Sequence, residues 1–363
     1  MEISGYRGFK KFTMDGLSRV NLLVGKNNCG KTSLLECVEF LASGGDPRNF
    51  IGIARRRGEF ANDVEDLGGR AGLVDISHFF NGHQIRQHSG FSIKSDDGLD
   101  PVLFTVGILD QSEEAPSLFP ASDDPQIAIF ELVSGGNSLK GKNKPVFPLS
   151  FHGTLLIDHR RLYKFFPQDR SSYPPVTSVS PESLDYESMG LMWNSVLQTK
   201  SEKAVYSTLR ILDPKLNDIV FEPNITGFRS GRTAGILVDH EGTDKRLPLG
   251  SLGDGMRRLL ALALSLAQAH SGYLLIDEID TGLHYSIMAD MWKLVIKTAV
   301  KENIQVFATT HSYDCIRGLA AACDDEEMAG EVAVHKIHSE LEKSVLFPGS
   351  ELPIVSQHDI EVR

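Results

Sequence analysis

The chain has 363 residues, of which 41% are hydrophobic and 23% are charged, and its formal net charge at pH 7 is -11. This length and composition are typical of a globular protein with a sizeable buried core. The acidic balance argues against a protein that coats nucleic acid with its whole surface, because phosphate binding requires clustered Lys and Arg. The sequence has neither a secretory leader pattern nor a membrane-length apolar run, so we expect a cytoplasmic protein with no membrane partner.

Three local basic clusters remain candidates for contact with nucleic acid. They are the runs at 55–57 and 159–161 and the alternating Lys140, Lys142 and Lys144. A solvated run of charge is the simpler interpretation of each cluster. Contact with DNA or RNA stays open as the alternative.

The N-terminal part of the chain predicts a strand, a turn and a helix in immediate succession. Val20–Val24 is an apolar run that predicts a buried strand, and a Gly-containing turn follows it. Lys31–Ala42 then places three leucines and a valine at helical spacing on one face. The sequence therefore predicts a strand-loop-helix unit in this part of the chain.

A similar alternation returns late in the chain. The pattern predicts a helix over 255–269, a strand over Tyr273–Ile276, a helix over 285–301 and a strand over Gln305–Thr309. Such alternation predicts an α/β fold with a mostly parallel sheet flanked by helices. Residues 81–204 instead carry Gly, Pro, Ser and Asp clusters between short β-rich pieces. We therefore expect a discontinuous domain of residues 1–80 and 205–363 with an insertion subdomain of residues 81–204.

A phosphate-binding motif occupies residues 25–32, which read Gly-Lys-Asn-Asn-Cys-Gly-Lys-Thr. They fit GxxxxGK[ST] at every fixed position, between a predicted strand and a predicted helix. Glycines let the backbone N–H groups point at phosphate oxygens, Lys31 would reach the β- and γ-phosphates, and Thr32 would offer its hydroxyl to Mg²⁺. The residues expected to contact ATP here are Gly25, Asn27, Asn28, Cys29, Gly30, Lys31, Thr32 and Ser33. A Gly-rich turn without a ligand is the alternative.

Two carboxylates and a histidine follow neighbouring predicted strands. Asp277 and Glu278 end one strand, and His311 comes just after the next. The carboxyl ends of parallel strands meet at the edge where such sheets bind ligands. We expect Asp277 to help hold Mg²⁺, Glu278 to orient the attacking water, and His311 to donate to a γ-phosphate oxygen. The alternatives are a solvated strand end and a structural histidine.

A second anion-binding element begins at Ser251, where the sequence reads Ser-Leu-Gly-Asp-Gly-Met-Arg-Arg. It opens a predicted helix with Ser251, Gly253 and Gly255, which bring a hydroxyl and backbone N–H groups to the helix start. Because the chain has one phosphate loop, the second anion would be the γ-phosphate held by another copy. An ordinary helix cap by Ser251 or Asp254 is the alternative.

These motifs, taken in their order, resemble the ATP-binding-cassette ATPase heads of the SMC and RecF kind. They most closely resemble the AAA-family ATPases similar to the OLD (overcoming lysogenization defect) proteins. The segments that carry the resemblance are residues 5–9, the phosphate loop with the start of its helix, 251–258, 274–284 and 308–312. The resemblance implies a P-loop NTPase of the ABC ATPase head type, with a mostly parallel sheet flanked by helices and a mixed insertion.

The resemblance also implies roles for the individual motifs. Ser251, Gly253 and Gly255 form the signature element, residues 280–284 form the loop that crosses a dimer interface, and His311 is the switch histidine. Two departures from the family pattern matter. No counterpart of the glutamine that usually follows the first helix is identifiable, and 52 residues follow His311, too few for the Toprim nuclease domain of OLD proteins.

By this resemblance we expect a Mg²⁺-dependent ATP hydrolase that closes as a homodimer around ATP, with slow or partner-stimulated turnover. Relatives in Gabija, Septu and similar anti-phage systems pair an ATPase with a nuclease. We therefore expect a regulatory subunit for a separate effector, a Toprim or other nuclease, in bacterial defence. A RecF- or SMC-like DNA-repair ATPase and a non-hydrolysing ATP-binding scaffold are the alternatives. Higher oligomers and a DNA or RNA ligand stay open.

Overall fold

The computed structural model describes residues 1–59, 71–86, 88–96, 98–108, 127–134, 146–150, 153–158, 173–182, 184–222 and 235–357. The chain divides into two compact units. The first unit contains Met1–Asp15, Asn28–Pro174 and His338–Ser344. The second unit contains Gly16–Asn27, Pro175–Ile337 and Val345–Arg363.

The strands and helices are numbered here in chain order. The strands are β1 (Glu2–Tyr6), β2 (Phe9–Thr13), β3 (Val20–Val24), β4 (Ala71–Asp75), β5 (Gly90–Lys94), β6 (Val102–Ile108), β7 (Ile127–Ser134), β8 (Val146–Ser150), β9 (Thr154–Asp158), β10 (Val176–Val179), β11 (Leu216–Glu222), β12 (Gly235–His240), β13 (Leu247–Pro248), β14 (Tyr273–Ile276), β15 (Gln305–Thr309), β16 (Val332–Lys336) and β17 (Val345–Pro348). The helices are α1 (Lys31–Ala42), α2 (Arg48–Arg57), α3 (Tyr186–Thr199), α4 (Glu202–Leu209), α5 (Asp254–Gln268), α6 (Met288–Lys301), α7 (Tyr313–Ala322), α8 (Glu326–Ala329) and α9 (Leu352–Gln357).

The first unit is built on an eight-stranded sheet with the order β2-β1-β5-β6-β7-β8-β9-β4. All its neighbouring strands pair antiparallel. A cluster of buried aromatic rings fills the core of this unit. On α1, Phe40 lies with its ring centroid 5.0 Å from that of Phe50 on α2 and 5.4 Å from that of Phe104 on β6. This contact fixes α1 through the side of the helix that carries Phe40, because aromatic pairs contribute both buried area and a preferred geometry.

The second unit is built on a six-stranded sheet with the order β10-β14-β15-β3-β16-β17. The pairs are parallel except for the edge strand β17, which runs antiparallel to β16. All five residues of β3 are buried, as expected for an inner strand of a parallel sheet that is covered on both faces. Since β3, β14 and β15 run in the same direction, their carboxyl ends lie at the same edge of the sheet.

Helices α5 and α6 supply much of the apolar core of the second unit. Ten residues of α5 and six of α6 are buried. On α6, the fully buried Trp292 donates its indole N–H to the carbonyl oxygen of Cys315 on α7 at 3.0 Å. A separate three-stranded antiparallel sheet, in the order β11-β12-β13, belongs to the same unit. In the part of the chain that the structure describes, no helix is both long and apolar enough to cross a bilayer.

The elements predicted from the sequence are confirmed with small shifts. β3, α1, β14 and β15 have the predicted bounds. The helix expected over 255–269 runs over Asp254–Gln268, and the one expected over 285–301 begins with a 3₁₀ turn at Tyr285–Ile287. The expected α/β fold of the P-loop type, a mostly parallel sheet flanked by helices, is also confirmed.

The predicted domain boundaries, 1–80 with 205–363 against 81–204, differ from the compact units of the structure. Strand pairing is the physical reason for the difference. β5, from the predicted insertion, pairs with β1, and β10, also from the predicted insertion, pairs with β14. Sheet hydrogen bonds join residues far apart in sequence, which composition does not reveal.

The aromatic cluster gives a prediction about stability. Replacing Phe40 by Ala should lower the free energy of unfolding of the first unit by about 3–5 kcal/mol, because it leaves a cavity among packed rings. Urea unfolding followed by circular dichroism measures this loss. Leu103→Ala, at a residue of β6 that is 37% exposed, is the control and should change stability by less than about 1 kcal/mol. Equal effects of the two variants would contradict the packing described here.

Candidate functional site

The loop of residues 25–32 has the backbone that its glycines predict. In the second unit, Gly25 follows β3 with φ 148°. In the first unit, Asn28 and Gly30 have φ values of 59° and 99°, and α1 begins at Lys31. A Cβ atom at Gly30 would lie 2.4 Å from the ring of Phe9. Glycine is therefore required at position 30 both by its backbone angle and by lack of space.

Two of the predicted phosphate contacts lie close together at the start of α1. Lys31 is 5% exposed, and its Nζ atom lies 3.8 Å from the Sγ atom of Cys29. The helix cap residue, Gly30, offers no side chain to the first backbone N–H groups of α1. This is the arrangement that the motif predicts, with backbone donors at a helix start beside a lysine.

A buried carboxylate, Glu36, fixes α1 within the first unit. Glu36 accepts hydrogen bonds from the Tyr6 hydroxyl at 2.7 Å, the Arg7 Nε atom at 2.7 Å and the Arg57 Nε atom at 2.6 Å. The other two guanidinium nitrogens of Arg7 donate to the two carboxylate oxygens of Glu59 at 2.8 and 2.9 Å. Burial, followed by the charge of Glu36, raises the pKa of Tyr6 well above its usual value, so the phenol keeps its proton and donates.

The basic run at 55–57, one candidate for nucleic-acid contact, is largely paired within the first unit. Arg56 forms an ion pair with Glu39, and Arg57 contacts Glu36 and the Ser33 hydroxyl, the latter at 3.3 Å. These contacts favour a role in holding α2 on α1. The runs at 140–144 and 159–161 lie outside the described residues.

In the second unit, a threonine from β15 holds the predicted acidic pair. The Thr309 hydroxyl donates to Asp277 Oδ1 at 2.5 Å and accepts the backbone N–H of Glu278 at 2.8 Å. Glu278 has φ 50°, a left-handed conformation that costs about 1–2 kcal/mol for a residue with a side chain. The hydroxyl of Thr309 therefore fixes both the carboxylate of Asp277 and the strained backbone of Glu278.

Further hydroxyl groups surround the same strand ends. The Thr281 hydroxyl donates to Glu278 Oε2 at 3.1 Å, and the Thr310 hydroxyl donates to Asp280 Oδ1 at 2.5 Å. His311, the predicted phosphate sensor, follows Thr310 directly and is exposed. The sequence interpretation missed both Thr309 and Thr310. The signal that could have found them was the pair of threonines between an apolar strand and the histidine.

The buried side chain of Arg258, on α5, contacts the backbone at the same strand end. It is 5% exposed, and its Nη2 atom donates to the carbonyl oxygens of Asp277 and Glu278, both at 2.8 Å. Its Nη1 atom donates to the carbonyl oxygen of Ser180 at 2.5 Å. Burial lowers the pKa of Arg258, while the nearby charge of Asp280 acts in the opposite direction. The sequence interpretation did not single out this arginine.

The predicted signature element lies at an exposed corner of the second unit. Ser251 and Gly253 are exposed, and the Ser251 hydroxyl donates to the carbonyl oxygen of Pro248 at 2.6 Å. The cap residue of α5 is Gly253, with φ 91° and no side-chain hydrogen bond to the helix. The alternative of a helix capped by Ser251 or Asp254 is therefore wrong, because neither side chain caps the first turn.

The start of α5 packs directly on the loop that follows the acidic pair. A Cβ atom built on Gly255 would lie 3.0 Å from the carbonyl oxygen of Gly282. Within the same loop, Tyr285 is 65% exposed and its ring centroid lies 4.3 Å from that of His284. The signature element and residues 280–285 are thus neighbours in space, although about 30 positions separate them in the chain.

Two stretches of the chain match family models of ATPase domains. Residues 180–314 match the family described as "AAA domain, putative AbiEii toxin, Type IV TA system". Residues 1–85 match the family described as "AAA ATPase domain". The two stretches are thus similar to AAA-family ATPase domains, and together they include every site residue predicted from the sequence.

Known proteins resemble the chain to different extents. A Helicobacter pylori protein named "ATP/GTP phosphatase" is 21% identical over 361 residues, which cover 91% of this chain and 89% of the relative. An uncharacterized protein of Methanocaldococcus jannaschii is 32% identical over 81 residues, which cover 22% of this chain and 71% of the relative.

Solved structures of SMC heads are also similar. A head bound to the C-winged helix domain of ScpA is 14% identical with a TM-score of 0.48, and the match covers 96% of this chain and 97% of that one. The head domain from Thermotoga maritima is 13% identical with a TM-score of 0.40, at the same coverage of both chains.

The buried ion pairs of Glu36 give the first prediction for this site. Glu36→Gln should lower the free energy of unfolding by about 1.5–3 kcal/mol, because it removes the charge that the Tyr6 hydroxyl and the Nε atoms of Arg7 and Arg57 contact, while Arg7 keeps its ion pair with Glu59. Glu39→Gln is a matched control on the same helix, since its partner Arg56 is 37% exposed, and it should lose less than about 1 kcal/mol. Urea titration measures both, and losses of equal size would contradict the assignment.

The hydroxyl of Thr309 gives the second prediction. Thr309→Val keeps the shape of the side chain but removes its donor to Asp277 and its acceptor for Glu278. A charge-assisted hydrogen bond is worth about 1.5–3 kcal/mol, so phosphate release from ATP should fall by at least about 10-fold. Thr309→Ser retains the hydroxyl and should stay within about 3-fold of wild type. If valine and serine behave alike in a phosphate-release assay, the hydroxyl has no such role.

Proposed function

We propose that this protein is a Mg²⁺-dependent ATPase that closes as a homodimer around ATP. The observation that carries the proposal is the fixed acidic pair at the carboxyl end of β14. Asp277 is oriented by the Thr309 hydroxyl, and Glu278 is held in a left-handed conformation between Thr309 and Arg258. An acidic pair at this edge of a parallel sheet, in an AAA-family domain, fits phosphoryl transfer to water.

The phosphate loop would bind the nucleotide. Lys31 would contact the β- and γ-phosphates, and the backbone N–H groups at the start of α1 would contact phosphate oxygens. Support comes from the left-handed turn at Gly30 and from the absence of a side-chain cap on α1. The combination of this loop with the acidic pair in a single reaction rests on the order of the motifs along the chain.

Oxygen donors of the type that Mg²⁺ prefers stand at both predicted metal positions. These are the hydroxyl of Thr32 and the carboxylate of Asp277. When bound, Mg²⁺ would neutralise charge on the β- and γ-phosphates. Asp277 would hold its carboxylate in one orientation through the hydrogen bond from Thr309.

Glu278 and His311 would act on the γ-phosphate and the attacking water. The carboxylate of Glu278 would accept a hydrogen bond from the water and so orient it for in-line attack. The hydrogen bond from Thr281 leaves Glu278 with a defined side-chain direction. His311, exposed at the end of β15, would donate to a γ-phosphate oxygen.

A second copy of the chain would complete each site with its signature element. Ser251 and Gly253 are exposed, and a Cβ atom at Gly253 would meet nothing within 4 Å, so a ligand could approach this backbone. The loop beside it carries the exposed ring of Tyr285, and exposed aromatic side chains are enriched at protein interfaces. These features support a partner at this corner, with residues 251–255 facing its γ-phosphate.

The dimer would serve as a regulatory subunit for a separate effector, a Toprim or other nuclease, in anti-phage defence. The resemblance to OLD-like ATPases supports this part of the proposal. The description of the family matched over residues 180–314 names a putative toxin of a toxin–antitoxin system, which is compatible with control of a harmful effector. A direct DNA-repair role is less well supported, because Arg56 and Arg57 are paired with glutamates.

The proposal predicts a nucleotide-dependent change of mass. Wild type with Mg-ATP should shift toward a dimer and release phosphate, because the γ-phosphate bridges two copies. Lys31→Ala should abolish both, since the variant loses its phosphate contact, and Glu278→Gln should hold the dimer while phosphate release falls by about 100-fold or more. Mass photometry and a phosphate-release assay on the same samples measure both properties.

Lys297→Ala serves as the control, because it removes an exposed lysine from α6 and should behave as wild type. A constant mass in all samples with no phosphate release would contradict the proposal and favour a nucleotide-binding scaffold. Hydrolysis by a protein that stays monomeric would contradict the proposed dimer but not the proposed ATPase activity.

A further inference from the structure

Arg258 connects two parts of the second unit that the proposed function treats separately. It lies on α5, three residues after Gly255, which is about 4.5 Å along the helix axis. The start of α5 carries the exposed signature element, whereas the guanidinium of Arg258 is buried at the end of β14. Arg258 therefore links the helix that begins at the exposed corner to the strand end that bears Glu278.

The two carbonyl groups that Arg258 contacts flank the Cα atom of Glu278. One belongs to the peptide unit before Glu278 and the other to the peptide unit after it. Holding both peptide planes fixes φ and ψ of Glu278 together, and these angles set the direction of its Cα–Cβ bond. Since φ is 50°, the conformation depends on such external contacts.

The same guanidinium also anchors a third backbone segment. Its Nη1 atom donates to the carbonyl oxygen of Ser180, just after β10, at 2.5 Å, with that of Pro181 at 3.5 Å. Lysine could not reproduce this pattern, because an ammonium group is a compact point donor, whereas guanidinium is a planar fork with five N–H groups. The geometry therefore requires arginine, not merely a positive charge.

We propose that Arg258 is the positioning residue through which α5, the helix that begins at the signature element, sets the conformation of Glu278. Contact of residues 251–255 with a second copy would then control hydrolysis at Glu278 of the same chain to which those residues belong. A shift of α5 moves Arg258 with it, because a helix transmits displacement over one turn as a rigid body. This inference rests on the proposed function and adds to it the regulation of the same site.

The neighbouring Arg257 offers a matched comparison on the same helix. Its side chain is 34% exposed, and its Nε atom lies 3.9 Å from a carboxylate oxygen of Asp254. It makes no described contact with the end of β14. The same Arg→Lys change at the two positions therefore separates a loss of carbonyl contacts from a change of side chain in α5.

The experiment compares wild type, Arg258→Lys and Arg257→Lys for ATP-dependent mass, steady-state phosphate release and melting temperature. Arg258→Lys should still dimerise with Mg-ATP, with KM within about 3-fold of wild type. Its kcat should fall by about 10- to 100-fold, since a displacement near 1 Å of a reacting group has that effect. Arg257→Lys should match wild type within about 2-fold in all measurements.

Chemical rescue distinguishes positioning from simple support of the fold. Arg258→Ala leaves a space of guanidinium shape, and guanidinium chloride at about 20–50 mM, far below the molar concentrations that unfold proteins, should restore at least about 5-fold of the lost kcat. Methylammonium at the same concentration should not, because it lacks the planar fork. Neither ion should change the rate of Arg257→Lys.

Normal turnover by Arg258→Lys would overturn the inference and leave the proposed function intact. Loss of both dimerisation and hydrolysis with a lowered melting temperature, and without rescue by guanidinium, would also overturn it, because Arg258 would then only support the fold. If wild type itself neither dimerises nor releases phosphate, the proposed function fails first. The wild-type sample thus separates the two failures.

Discussion

The left-handed backbone of Glu278 is the constraint on which the chemistry of the second unit depends. This conformation is unfavourable for a residue with a side chain, and it persists here because hydrogen bonds hold it from both sides. Thr309 binds its N–H group and Arg258 binds its carbonyl oxygen. The parallel sheet brings Thr309 to this point by the register of β15 on β14, and α5 brings Arg258. A carboxylate held in this way is already oriented before a substrate arrives, which is how electrostatic preorganisation lowers a barrier.

The first unit applies a related principle to α1. The helix that follows the phosphate loop is packed through Phe40 and is also held by the buried Glu36, which lies one turn earlier on the same face. A buried ion pair contributes modestly to stability when it is complete, but it strongly disfavours arrangements that break it. The network around Glu36 therefore specifies one position for α1. Rigid placement of α1 fits a loop whose backbone donors must converge on phosphate oxygens.

The sequence predicted the sheet-forming elements well because their signals are local. β3, β14 and β15 are short apolar runs with clear ends, and the phosphate motif adds fixed glycines to the first of them. The contacts of Arg258 and Thr309 were not predictable, because their partners lie about 20 and 30 positions away and depend on strand register. The alternative in which Ser251 or Asp254 caps α5 was wrong because residue type alone does not determine the cap position. Ser251 and Asp254 are suitable cap residues by type, but the backbone places Gly253 at the cap position.

A structure of Glu278→Gln with bound Mg-ATP tests the central claim most directly. We expect two copies related by a two-fold axis, with Lys31 on the β- and γ-phosphates and the partner's residues 251–255 within hydrogen-bond distance of the γ-phosphate. We also expect the backbone at position 278 to keep a positive φ and its contacts with Thr309 and Arg258. A nucleotide bound to the phosphate loop while residues 251–255 face solvent would contradict this claim.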